Sequence, residues 1–104
     1  MKNISETAIS DTAIVEIVSL VKEKTKSGKL TWNNTYADGL RADVKVARMT
    51  FILQRYPEAD DEPVIMGYVA SRQIFCVPSG GIEKIVFNPI SKDVQAAIAA
   101  LKSL

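Results

Sequence analysis

The fold is decided by the stretch VIMGYVASRQIFCV, residues 64–77. Two runs rich in β-branched and aromatic residues flank Ser71 and Arg72, a pair suited to a tight turn, which predicts two short strands joined as a hairpin. Alternate residues of a strand point to opposite faces of a sheet, yet both runs are apolar at consecutive positions such as Ile65 and Met66. A sheet with helices on one side and water on the other alternates more cleanly. We therefore expect the second face to be covered by strong sheet curvature, by a partner subunit or by an apolar ligand.

An amphipathic helix is predicted on each side of the strands. Between Thr12 and Thr25 apolar residues recur at three- and four-residue spacing, and Gly28 suits the left-handed position just after a helix. A second, shorter helix is predicted to begin at Pro89 or Ser91 and to bury one apolar stripe. That stripe consists of Ile90, Val94, Ala97, Ile98 and Leu101.

Further strands are predicted on either side of the hairpin. LTWNNTY at 30–36 alternates like an edge strand, and ADG at 37–39 indicates a turn into the segment 40–56. In that segment the apolar residues change face between Val46 and Met49, which predicts two strands with a tight connection or one strand with a bulge. Another strand is predicted after the turn PSGG at 78–81.

These elements predict one α+β domain spanning residues 1–104. Its order is an N-terminal helix, an antiparallel meander of four to six strands and a C-terminal helix. Strands that follow one another along the chain favour antiparallel neighbours, and both helices are expected on one face of the sheet.

The composition excludes several kinds of active site. The chain has a net charge of +1, no histidine and a single cysteine, Cys76. Histidine-dependent nucleophiles, histidine zinc sites, multi-cysteine metal sites and internal disulfides are therefore excluded. The acidic turn at 58–62 lacks the ligand spacing of a calcium loop. We expect a non-enzymatic protein with no catalytic residues, cofactor or metal, and a cytoplasmic one, because no segment resembles a membrane span or a signal peptide.

Two functional hypotheses follow from the apolar strands. The first is an interaction domain that forms a homodimer or binds a protein partner through the apolar sheet face. The residues assigned to that interface are Ile65, Val69, Phe75, Val77, Ile85 and Phe87. The second is a module for a small apolar or aromatic ligand, held in a pocket between helix and sheet. The residues assigned to that pocket are Trp32, Tyr36, Phe51, Met66 and Tyr68.

A third hypothesis concerns the segment KEKTKSGKLTW at 22–32. Its lysines would form a patch for single-stranded nucleic acid, on which Trp32 would stack a base. The lysines of this patch are Lys22, Lys24, Lys26 and Lys29. The balanced net charge disfavours nucleic acid as a partner. Lysines near the end of a helix are equally explained by the helix dipole, and Trp32 is equally explained as a core residue on the face of Leu30.

The same region carries a resemblance. LVKEKTKSGKLTWNNT, at 20–35, resembles the opening of small uncharacterised bacterial and phage-associated proteins. In those proteins a helix ending in Lys-Thr precedes a Gly-Lys pair and a strand with a tryptophan. The matching residues here are Leu20, Lys24, Thr25, Gly28, Lys29, Leu30 and Trp32. The resemblance covers about fifteen residues and implies an accessory protein with this helix-to-strand layout, but no activity.

Overall fold

The computed structural model describes residues 11–35, 40–55, 63–77, 83–84 and 91–104. It confirms the α+β fold, with one antiparallel sheet in which each strand pairs with the next along the chain. In chain order the elements are α1 (Asp11–Lys26), β1 (Arg41–Val46), β2 (Met49–Arg55), β3 (Pro63–Val69), β4 (Arg72–Val77), the two-residue β5 (Glu83–Lys84) and α2 (Ser91–Lys102). The predicted turns at 56–62 and 78–81 lie outside the described residues.

The first hairpin explains the change of alternation in the segment 40–56. β1 and β2 are joined by the two-residue turn Ala47–Arg48, and Val46 pairs directly with Met49. Residues that oppose each other across a hairpin lie on the same face. The prediction of two strands with a tight connection is therefore confirmed, and the apparent change of face arises because Ala47 and Arg48 belong to the turn and not to a strand.

A bulge in the β3–β4 pair shapes the centre of the sheet. Gly67 pairs with Phe75 and Tyr68 with Gln73, so that Ile74 is the extra residue of β4. Ile74 and Phe75 are consecutive, yet both are buried in the same cluster of apolar side chains. A bulge disrupts the alternation of a strand in this way, which accounts for part of the consecutive apolar residues in QIFCV.

Gly67 leaves the space that the Phe75 ring occupies. A Cβ at position 67 would lie 2.3 Å from Cε2 of that ring. Phe75 is fully buried and packs against Phe51, with ring centroids 6.3 Å apart. The close approach of ring and backbone therefore requires glycine at this position.

The main hydrophobic core lies between the two helices and one face of the sheet. α1 contributes Ile14, Ile17 and Val21, and α2 contributes Val94 and Leu101, all of which are almost fully buried. The predicted apolar stripes of both helices are thus confirmed for the described residues; Ile90 lies outside them.

One predicted strand is not formed. Residues 31–35 make only an isolated antiparallel bridge, in which Asn33 N donates to Asp43 O at 2.6 Å and Asp43 N donates to Asn33 O at 3.1 Å. In the described part of the predicted strand at 30–36, the pairing with β1 is therefore limited to this one bridge. The turn at 37–39 lies outside the described residues.

Candidate functional site

The end of α1 positions Trp32. Lys29 N donates to Lys24 O at 2.9 Å and Gly28 N donates to Thr25 O at 3.2 Å, with Gly28 at φ 82°. This pair of bonds is the Schellman arrangement that ends a helix and reverses the chain. The chain then returns beside the last turns of α1, where Leu30 is buried.

A hydrogen bond fixes the orientation of the indole. Trp32 Nε1 donates to Thr25 Oγ1 at 2.8 Å, and the half-buried ring packs against the main core. A partly buried indole N–H is costly to leave without an acceptor. The Thr25 hydroxyl therefore holds one edge of the ring, while part of the ring stays open to solvent.

Beside the indole lies an open cleft with a volume of about 210 Å³. We call it the Trp32 cleft. Its lining residues are Val21, Lys22, Thr25, Lys26, Trp32, Leu53 and Ile65. The surface exposed inside it is almost wholly apolar, because the lysines contribute their aliphatic stems and the threonine hydroxyl is already engaged by the indole. The arrangement can hold an apolar group.

The four lysines of the predicted nucleic-acid patch do not lie side by side. Lys22 and Lys26 lie one helical turn apart at the rim of the Trp32 cleft, and both are exposed. Lys24 points elsewhere, since its Nζ donates to the backbone oxygen of Leu104 at 3.3 Å. Lys29 is exposed beyond the end of the helix and does not line the cleft. The structure thus divides the four cations into a rim pair and two separate charges.

The four described residues of the predicted ligand pocket do not lie together. Trp32 lines the cleft, but Phe51 is fully buried in the main core and leaves no surface for a ligand. Met66 and Tyr68 lie on the other face of the sheet, where the Tyr68 hydroxyl donates to Gln73 Oε1 at 3.2 Å. Tyr36 lies outside the described residues. Of the described pocket residues only Trp32 lines the Trp32 cleft, because Met66 and Tyr68 lie on the opposite face of the sheet.

Sequence reasoning missed most of the cleft. Val21 and Leu53 resemble ordinary core residues in the sequence, and Ile65 was assigned to the interface. Nothing in the spacing of Thr25 and Trp32 shows that their side chains touch. These residues belong to α1, β2, β3 and the segment after α1, so only the packing of the helix on the sheet brings them together.

The described residues of the predicted interface lie on the helix side of the sheet. Ile65, Val69, Phe75 and Val77 all pack in the main core on the helix side of the sheet. Ile85 and Phe87 lie outside the described residues. The hairpin pattern predicted two apolar faces, but it could not show which face the helices take. Ile65 and Phe75 are buried there, whereas Val69 and Val77 are half-buried.

The helix-free face carries a second, smaller apolar cluster. It contains Ile52, Val64 and Met66, with Tyr68 and the half-buried Cys76 packed against it. Ile52, Val64 and Met66 are each at most 8% exposed within the single chain. Cover for these three side chains is thus already supplied within the monomer.

A polar cleft lies on the same helix-free face. It has a volume of about 280 Å³ and is lined by Arg41, Asp43, Thr50, Ile52, Tyr68 and Ser71. Its mixture of a cation, a carboxylate and hydroxyls selects no single ligand chemistry. In the part of the chain that the structure describes, no group of three or more histidine, cysteine, aspartate or glutamate residues could hold a metal ion. No described helix has both the length and the apolar character needed to span a bilayer.

Comparison of the chain with protein-family models, with curated proteins and with solved structures gave no match. A functional conclusion therefore depends on the geometry of the clefts.

Proposed function

We propose that this chain is a non-enzymatic binding domain, and that the Trp32 cleft receives one aromatic or branched aliphatic group of its ligand. The observation that carries the proposal is an open cleft with an apolar floor beside an indole whose only polar atom is already hydrogen-bonded. Such a floor offers a ligand hydrophobic contact and excludes groups that need hydrogen bonds.

The size of the cleft sets the size of the group. Pockets for drug-sized molecules usually measure about 300–1,000 Å³, whereas this one measures about 210 Å³. An apolar cavity of about 150 Å³ is known to accept benzene. The Trp32 cleft is therefore suited to one ring or one branched chain. Burying such a group contributes about 1.5–3 kcal/mol, so a free fragment should bind weakly, with a dissociation constant of roughly 5–80 mM.

The direct test uses benzyl alcohol, a neutral water-soluble molecule with one ring. Trp32 is the chain's only tryptophan, so its indole N–H gives a single cross-peak in a ¹H–¹⁵N spectrum. We expect this cross-peak to shift and to approach saturation as benzyl alcohol is added at tens to hundreds of millimolar. An indole cross-peak that does not move up to the solubility limit would exclude the proposal.

Two variants with the same added ring locate the binding. Leu53→Phe places a phenyl ring into the half-buried lining of the cleft and should abolish the shift. Val15→Phe is the control, because Val15 is 50% exposed on α1 and does not line the cleft. Equal titration curves for the two variants would show that benzyl alcohol binds elsewhere.

A further inference from the structure

The cations at the rim of the Trp32 cleft give the site a preference for a negatively charged ligand. This inference rests on the proposed function. Lys22 and Lys26 stand at the rim, and none of the described residues that line the cleft is acidic. Within the described part of the chain neither ammonium group makes an ion pair. By contrast, the lysine at the end of α2 is paired, with Lys102 Nζ 3.0 Å from Glu16 Oε2. The rim thus presents two unneutralised cations above an apolar floor.

We infer that the ligand is an acidic segment of a protein partner, which places one aromatic or branched aliphatic side chain in the cleft and its flanking carboxylates at Lys22 and Lys26. Opposite charges at the rim of an apolar site fix the orientation of a ligand and speed its association. Two lysines four residues apart lie on one helical face, so carboxylates on either side of the anchor can reach both.

The size of the cleft favours a protein segment over a free small acid. One buried ring gives a dissociation constant of only roughly 5–80 mM, and a useful complex needs contacts beyond the cleft. The cleft is open to solvent on the Trp32 side, so a segment of a partner protein has room to pass through it. Nucleic acid fits less well, because only two of the four lysines stand at the rim and Lys24 is turned towards Leu104.

The test compares three capped pentapeptides by the shift of the Trp32 indole cross-peak. Their sequences are Glu-Glu-Phe-Glu-Glu, Gln-Gln-Phe-Gln-Gln and Glu-Glu-Ala-Glu-Glu. We expect the first to bind about tenfold more tightly than the second, and its advantage to shrink as salt is added. The third should not bind measurably, because it lacks the anchor.

The variants use a matched pair of charge changes. Lys22→Gln with Lys26→Gln removes the rim charges and should lower the affinity for Glu-Glu-Phe-Glu-Glu about tenfold. Lys29→Gln with Lys45→Gln is the control, because it makes the same change in net charge at two exposed residues outside the cleft. All four lysines are exposed, so both double variants should fold.

Several results would overturn the inference. If the glutamine peptide binds as tightly as the glutamate peptide, or if the two double variants behave alike, the charge preference is absent. In that case binding of benzyl alcohol would still uphold the proposed function. Phenylacetate binding as tightly as the glutamate peptide would point to a free small acid. Tighter binding of oligothymidylate than of the glutamate peptide, lost only in the rim variant, would point to nucleic acid.

Discussion

The substitution Gly67→Ala tests the packing at the centre of the sheet. The added Cβ would lie 2.3 Å from Cε2 and 2.6 Å from Cζ of Phe75, whereas ordinary contact begins at 3.4 Å. The ring must therefore move by about 1 Å. It has no exposed side to move towards, because Phe75 is fully buried and packs against Phe51.

The expected cost follows from two opposing effects. Overpacking a core costs about 1–3 kcal/mol, and the upper end applies here because the ring is enclosed. Alanine recovers about 0.5–1 kcal/mol relative to glycine inside a strand. The free energy of unfolding should therefore fall by about 2 kcal/mol, which corresponds to a Tm lower by about 8–16 °C for a domain of this size. A domain of this length usually has about 5–15 kcal/mol of stability, so the variant should remain folded.

The assay is urea unfolding followed by far-ultraviolet circular dichroism, with Gly28→Ala as the control. A Cβ at position 28 meets nothing within 4 Å, so this change should cost only the left-handed backbone conformation, about 1–2 kcal/mol. Both substitutions are then repeated in a Phe75→Leu background. The cost of Gly67→Ala should fall by about 1 kcal/mol there, and the cost of Gly28→Ala should not change. Equal costs of Gly67→Ala in the two backgrounds would refute the steric explanation.

Two further predictions concern a turn and a hydrogen bond. Ala70 and Ser71 have φ values of 53° and 65°, the pair of left-handed conformations that Asn-Gly adopts best. The double substitution Ala70→Asn with Ser71→Gly should therefore raise the free energy of unfolding by about 1 kcal/mol. A lower urea midpoint would contradict this. Thr25→Val removes the acceptor of the Trp32 indole N–H. It should lower the free energy of unfolding by about 0.5–1.5 kcal/mol and shift the indole cross-peak. Thr25→Ser keeps the hydroxyl, so it should leave both the stability and the cross-peak close to those of the unchanged chain. If serine and valine have equal effects, the hydrogen bond does not hold the ring.

The sequence predicted a helix or a turn correctly where the element depends only on residues close together in the chain. The three- and four-residue spacing between Thr12 and Thr25 predicts α1, observed at Asp11–Lys26, because the period of a helix is a property of the helix itself. The tight turn predicted near Ser71 is confirmed at Ala70–Ser71. The prediction of an edge strand at 30–36 was wrong for the described residues. A strand needs a partner along its length, and the described part has only the bridge from Asn33 to Asp43.

The candidate site was predictable only in part. Trp32 was singled out from its place after a lysine-rich helix end, and it does line the cleft. Phe51 and Met66 were assigned to the same pocket, because aromatic and apolar residues look alike in a sequence whichever face they take. The cleft depends on contacts between α1, Trp32 and the β2–β3 pair, and those contacts have no local signature.

The sequence by itself determined the order of helices and strands, the antiparallel hairpins and the lack of histidine chemistry, since these follow from residue type and short spacing. It also determined that the strand stretch at 64–77 is apolar on both faces. Only the tertiary structure decided which face receives the helices. That choice depends on the bulge that turns Ile74 and Phe75 to one side and on the space beside Gly67 that admits the Phe75 ring. Both involve residues on two different strands, so no pattern along one strand could reveal them.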